Sequence, residues 1–302
     1  MPAQCREAHT VEALPSQPRL FRWDGEIFTC AVTLLSVGRP MTPFPDVIAE
    51  LRNLGRRFSR FAPDSELSRF NAASDGWRDV SHRLHRLLRA ALDAAAASDG
   101  LVNAAILPAL RAAGYESSWP FTAPGPVPRP IAGEPVPLLH EVLAIRPGQA
   151  RLMSGCAVDV GGLAKGIWAD EFVDRLGSNA VCSLGGDLAC RGGSSDTDGE
   201  GWPIIVTGGQ RFLVHNAGVA TSGVGRRTWG TARHHIIDPR SGLPSSSNVR
   251  TASVLAPSAG EAEWMATSVV VGGTSVAEQL AIRRPHLDIT LERTDVTHDR
   301  AQ

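Results

Sequence analysis

Five stretches of the chain bring together residue types that can do chemistry. The first is Asp159-Val-Gly-Gly-Leu-Ala-Lys-Gly166. A β-like run ends there in two glycines and a helix begins, leaving bare N–H groups at a positive helix end that favours anions, phosphates above all. Lys165 adds a mobile cation and Asp159 a carboxylate. The spacing is neither that of a P-loop nor that of the dinucleotide G-x-G-x-x-G, and a tight packing turn uses the same glycines. In the second stretch, Ser183-Leu-Gly-Gly-Asp187, the pair Gly185-Gly186 reads first as a turn between strands, with Asp187 beside it. The third, Arg233-His-His-Ile-Ile-Asp-Pro-Arg-Ser-Gly-Leu-Pro244, reads as a strand followed by a constrained loop. His234 and His235 alternate faces on a strand, so one of them can enter a site and exchange protons near a carboxylate such as Asp238.

The fourth stretch, Ser258-Ala-Gly-Glu261, fits a capping box and opens a helix. Glu263 and Thr267 then lie one turn apart on one face. A carboxylate and a hydroxyl so placed can share Mg²⁺, which keeps water and substrate phosphate for the rest of its shell. The plainer use is an exposed Glu beside a Thr bonded to its own helix. The fifth runs from Ser59 to Asn71 and sets Phe61 in a loop ahead of a short helix capped by Ser65. Its ring can stack on a flat ligand or pack in the core. One compositional fact bears on the first stretch. Of 30 basic residues, every one but Lys165 is Arg, although the two cations are not interchangeable in a glycine-rich turn.

The elements that must position these residues follow from periodicity and punctuation. A strand is expected over 26–36, and helices over 44–59, 65–71, 81–98 and 106–113. Pro and Gly crowd residues 117–137, the mark of a long surface loop between two lobes. Short strands are then expected at 157–160, 180–184, 203–206, 211–214, 235–237 and 250–255, with helices near 163–176, 259–271 and 275–283. That order implies an α+β fold with mixed or antiparallel sheets and flanking helices. Residues 1–18 read as a disordered segment, 19–292 as the domain, and 293–302 as a polar tail.

With 20% charged residues and a net charge of −1, nothing electrostatic speaks for nucleic acid or an anionic membrane. No apolar run reaches the roughly 18 residues of a membrane span. The five cysteines are scattered without C-x-x-C spacing, which suits a reducing compartment, and with no secretory segment ahead of Cys5 the reading is cytoplasmic.

Taken together and in order, these blocks resemble the FAD:protein FMN transferase (ApbE-like) family from about Phe58 to Gly272. The matching stretches are Ser65–Asn71, Asp159–Gly166, Leu184–Asp187, His235–Pro239 with Gly242, and Ala262–Thr267. The resemblance implies two lobes enclosing a flavin cleft, with FAD as substrate and Mg²⁺ at its pyrophosphate. It also implies transfer of FMN to a Thr or Ser of an acceptor flavoprotein, with release of AMP. By resemblance, Phe61 would stack on the isoalloxazine, Leu101, Val102, Asn103 and Ile237 would line its pocket, and Asp159, Lys165, Gly185, Gly186 and Asp187 would contact FAD. Glu263, Thr267 and the Gly162 carbonyl would hold Mg²⁺, with His235 handling the proton and Asp159 the other candidate base. This chain departs from the family pattern in lacking Met-Gly-Thr near Gly25–Thr29, and in having Phe61 for Tyr, Asn103 for Asp and Glu263 for Asp. One extra methylene moves a carboxylate by about 1.5 Å, a large step for the Mg²⁺ octahedron. Three activities stay open in descending order: FMN transfer, hydrolysis of FAD to FMN and AMP, and flavin binding without catalysis.

Overall fold

The computed structural model describes residues 19–72, 75–118, 133–230 and 233–294. The first half of the chain runs β1 (Leu20–Ile27), β2 (Cys30–Val37), α1 (Phe44–Arg57), α2 (Glu66–Asn71), β3 (Arg78–Asp79), α3 (His82–Ala97) and α4 (Leu107–Ala112). After residue 133 come α5 (Leu139–Val142), β4 (Leu143–Arg146), β5 (Gln149–Leu152), α6 (Gly161–Leu176), β6 (Ala180–Leu184), β7 (Asp187–Arg191), β8 (Trp202–Ile205), β9 (Arg211–Val214) and β10 (Gly218–Gly223). The chain ends with β11 (Thr228–Trp229), β12 (Arg233–His234), β13 (Ile237–Asp238), β14 (Leu243–Pro244), β15 (Val249–Ala256), α7 (Ala259–Gly272), α8 (Thr274–Arg283) and β16 (Asp288–Arg293).

The fold is α+β. Its frame is a seven-stranded sheet in the order β1-β2-β6-β7-β10-β15-β16, antiparallel at every neighbouring pair. The main core joins this sheet to α1, α3, α6 and α7 through fully buried Leu34, Leu51, Leu88, Phe172 and Val269. The β8–β9 hairpin closes a smaller core around Val181, Cys190, Trp202 and Val219. Helix α7 is buried on nearly every side, from Ala262 through Val271. It approaches α6 where Gly166 has no side chain, since a Cβ there would lie 2.6 Å from the Ala259 carbonyl oxygen. Among the described residues no helix is long and apolar enough to cross a membrane.

The helices fall where capping and apolar spacing put them. Ser65, Ser81 and Ser258 each accept a hydrogen bond from the N–H three residues on. The strands depart from expectation in three places. Residues 26–36 are not one strand but the inner parts of β1 and β2, which turn at Phe28-Thr29 with φ of 60° and 58°. Such a turn usually carries Asn or Gly, and two β-formers hid it. Residues 157–160 are not in a sheet. The Asn71 side chain supplies what a neighbouring strand would, donating to the Val158 carbonyl and accepting its N–H, both at 2.8 Å. The expected strand 235–237 is split: His234 ends β12, Ile237 begins β13, and Ile236 between them accepts from Ser245 N–H at 2.9 Å. Strands β3, β4, β5, β7, β10, β11, β14 and β16 lie outside the expected ones. Most of the Pro/Gly-rich loop (119–132), residues 1–18 and the tail from 295 lie outside the described residues.

Candidate functional site

The sheet, α1, α4, α6 and α7 surround a cleft of about 950 Å³. All the residues that the family resemblance assigned to FAD, Mg²⁺ or the proton line it, whereas His234 and Asp238 do not. Phe61 and Ile237 line it from one small core, and the segment Leu101–Asn103 lines it as well. Asp159, Gly162 and Lys165 enter at the start of α6, Gly185, Gly186 and Asp187 at the β6–β7 turn, and His235, Glu263 and Thr267 from the C-terminal third.

At the base of the cleft, Lys165 sits between two carboxylates. Its Nζ donates to Asp187 Oδ2 and, at 2.8 Å, to Glu263 Oε1. Both acids are buried, at 3% and 2% exposure. Burial alone opposes charge on Lys165, but the two carboxylates outweigh it and hold the ammonium firmly protonated. Burial and the nearby Asp187 push the Glu263 carboxyl up, with Lys165 pulling the other way. The lysine is therefore a fixed cation, not the mobile one expected from its glycine-rich turn. Glu263 Oε2 accepts the Gly166 N–H at 2.8 Å. In a regular helix that N–H bonds the Gly162 carbonyl, so the first turn of α6 shares its hydrogen bonding with α7. One turn beyond Glu263, Thr267 Oγ1 lies 2.8 Å from Ser222 Oγ of β10.

These groups fit a hard divalent cation. An ammonium already occupies a position between two buried carboxylates, and a hydroxyl stands one helical turn away. Among the described residues no three of His, Cys, Asp and Glu converge as a cage. A metal here would rest on carboxylate, hydroxyl, main-chain and ligand oxygens, the donor set Mg²⁺ prefers.

Asp159 caps the entry to α6. Its Oδ1 accepts Gly161 N–H at 2.7 Å and its Oδ2 pairs with Arg60 Nε at 2.9 Å. His235 turns into the cleft while its neighbour His234 turns away, with Nε2 3.0 Å from the Ser245 carbonyl oxygen. His235 Nδ1 is buried without a partner among the described residues, although the ring also pairs with the Arg227 main chain. Burial first, then the positive charge of Arg227, lower its pKa to about 3, so the imidazole is neutral. Asp238 is not its partner: that carboxylate is gripped by Arg240 at 2.7 Å.

The turn Gly185-Gly186 has φ of 70° and 110°, and a Cβ would lie 2.8 Å from Cys30 Cβ at the first position and 2.9 Å from the Arg226 guanidinium at the second. The turn reading of these glycines holds, and the close approach places β7 and Asp187 at the cleft. Asn103 gives its side chain to the fold, donating to the Pro137 carbonyl and accepting Ala105 N–H, both at 2.9 Å. Sequence reasoning missed Arg60, Tyr115, Ser222, Arg226 and Arg227, which also line the cleft. Arg60 stood inside the block read only for its Phe61 ring, and Tyr115, the one tyrosine of the chain, carried no motif.

Comparison with known proteins gives the family and the fold. The profile of the ApbE family matches residues 28–291. A protein named FAD:protein FMN transferase from Haemophilus influenzae is 25% identical over 275 residues, covering 83% of this chain and 78% of that protein. A protein of the same name from Salmonella typhimurium is 27% identical over 252 residues, covering 76% of this chain and 71% of that protein. In fold, the chain matches the flavinyl transferase ApbE of Pseudomonas stutzeri with a TM-score of 0.75 at 21% identity, over 94% of this chain and 98% of that one. It matches the flavin transferase ApbE of Vibrio cholerae with a TM-score of 0.73, also at 21% identity, over 92% and 94%.

Proposed function

The chain belongs to the ApbE family, and we propose from that premise that it is an FAD:protein FMN transferase. It moves FMN from FAD to a Thr or Ser hydroxyl of an acceptor flavoprotein, with release of AMP and with Mg²⁺ as its metal. Residues 19–292 form its single flavin-handling domain. The four described cysteines are free thiols, which fits work in the cytoplasm.

The observation that carries the reading is the pairing, in one cleft, of an unpartnered His235 Nδ1 with the buried Lys165–Asp187–Glu263 cluster. The acceptor oxygen attacks the phosphorus of the FMN half, its proton passes to His235 Nδ1, the pyrophosphate P–O bond breaks, and AMP departs with the electron pair. A neutral imidazole with an open lone pair can accept that proton, and the negative phosphoryl groups of bound FAD would raise its basicity from the low value that burial and Arg227 impose. Asp159, held by Arg60 and Gly161, is the second candidate base. Lys165 lies where it can face charge growing on the phosphoryl oxygens. Glu263, Thr267 and the Gly162 carbonyl would hold Mg²⁺, which when bound offsets phosphoryl charge. Phe61, Leu101, Val102 and Ile237 form the wall for the flavin ring, and Gly185 and Gly186 let the main chain approach the dinucleotide.

The test incubates the protein with FAD, with and without Mg²⁺, and with a Thr-bearing peptide, followed by nucleotide separation and peptide mass. AMP together with a peptide heavier by one FMN, both requiring Mg²⁺, is expected. AMP with free FMN, peptide unchanged, would make the enzyme an FAD pyrophosphatase. FAD bound but intact would leave a flavin-binding protein.

A further inference from the structure

Arg60 is a deeply buried cation in the cleft that lies outside the Lys165 cluster. Its side chain is 4% exposed. The guanidinium carbon lies 4.1 Å from the Phe61 ring centroid and 4.4 Å from that of Tyr115, so it rests against both rings, which also touch each other with centroids 5.6 Å apart. Nε is taken by Asp159 at 2.9 Å. The outer nitrogen, NH2, is buried and has no hydrogen-bond partner among the described residues. Ring faces are weak acceptors and do not replace an oxygen. A buried donor of a charged group that stays unmade is costly, and such groups in native proteins call for an explanation. The surroundings are flat and apolar: Phe61 and Tyr115 with Leu110, Ile237 and Trp229 form a separate small core at this part of the cleft. Arg111 and Arg227 lie near enough to act on the Arg60 charge, while Asp159 is the one carboxylate that does so. The site therefore offers a positive, planar donor beside an aromatic wall, distinct from the carboxylate–lysine cluster suited to metal and phosphate.

We infer that Arg60 is a specificity residue for the flavin ring, its free N–H donating to a carbonyl oxygen on the pyrimidine edge of the isoalloxazine. The inference rests on the FAD reading above and adds to it the group that distinguishes flavin from the rest of the dinucleotide. A guanidinium there also stabilises the extra negative charge of a reduced ring. A phosphate oxygen is the other acceptor chemistry such a donor can take, and the ligands below separate the two.

The experiment titrates wild type, Arg60→Met and Arg60→Lys with riboflavin, which has the ring but no phosphate, with FMN, and with ADP, which has phosphates but no flavin. Arg60→Met is expected to weaken riboflavin and FMN about 10-fold or more and to leave ADP within about twofold. The midpoint potential of bound riboflavin should fall at the same time. Arg60→Lys keeps the charge but not the planar fork, and should recover the potential more fully than the affinity. Thermal melts without ligand show whether each variant is folded, and Arg60→Lys carries the comparison if Arg60→Met is not. Equal losses on ADP and riboflavin would make the residue a phosphate contact and overturn the inference. Unchanged riboflavin binding in both variants would reduce Arg60 to a brace for Asp159 and overturn it as well. An Asp159→Asn variant that reproduced the whole riboflavin loss would do the same. Wild type that bound neither riboflavin nor FMN would instead bring down the FAD reading itself.

Discussion

His235 and Lys165 show how burial sets what a side chain can do. The His235 pKa, about 3 in the folded chain, lies below its ordinary value near 6.5, so the unfolded chain takes up the proton first. Its contribution to stability is whole above pH 6.5 and is lost progressively as pH falls toward 3. The slope is at most about 1.4 kcal/mol per pH unit. Urea midpoints measured between pH 7 and 4 should fall less steeply in His235→Gln than in wild type. In the same variant, transfer should drop by roughly 100-fold or more, with FAD affinity nearly unchanged, as measured by AMP release and by titration. Lys165→Met leaves Asp187 and Glu263 facing each other without their cation. A loss of about 3 kcal/mol is expected, read by denaturant unfolding. Mg²⁺ should restore more of the melting temperature in that variant than it adds to wild type, because a divalent ion can take over the ammonium's charge.

Helices α6 and α7 hold the two halves of the cluster, and their spacing is fixed by a missing side chain. Gly166→Ala would drive a Cβ against main-chain atoms of Ala259, which cannot swing aside as a side chain can. Overpacking of this kind costs about 1–3 kcal/mol, and the urea midpoint should shift accordingly. It should also weaken FAD binding, since Glu263 moves with α7. At this scale the sequence was uneven to read. Helices were legible because Ser65, Ser81 and Ser258 are caps in type and spacing, and because α1 and α3 repeat their apolar residues on one face. Strands were less so. The β1–β2 turn is made by Phe28-Thr29, whose residue types argue for strand. The segment at Val158 has its main chain bonded by Asn71, which lies 87 positions earlier, a contact no local pattern can show. The candidate site was legible as a set of blocks, but Arg60, Arg226 and Arg227 were lost in a chain whose basic residues are almost all Arg.

Over the whole molecule the cleft is more positive than the near-neutral chain. Arg52 and Arg56 of α1 and Arg226 and Arg227 beyond β10 line it, and among the described residues none of the four has a carboxylate partner. Their charge attracts an anionic dinucleotide to the cleft, so its association rate should fall as NaCl is raised from low to physiological concentration and beyond. Stopped-flow flavin fluorescence would measure it. Replacing Arg52 and Arg56 by Gln should flatten that dependence. The order of the sheet carries a different consequence. Lys165 meets Asp187 22 positions later but Glu263 only 98 positions later, on a helix close to the C-terminal end of the fold. During synthesis the lysine and its first carboxylate leave the ribosome long before the second, and long-range closures of this kind form late. A nascent chain paused before α7 would hold a sheet without β16 and a cluster lacking Glu263, so capture of FAD becomes a report that α7 has been made.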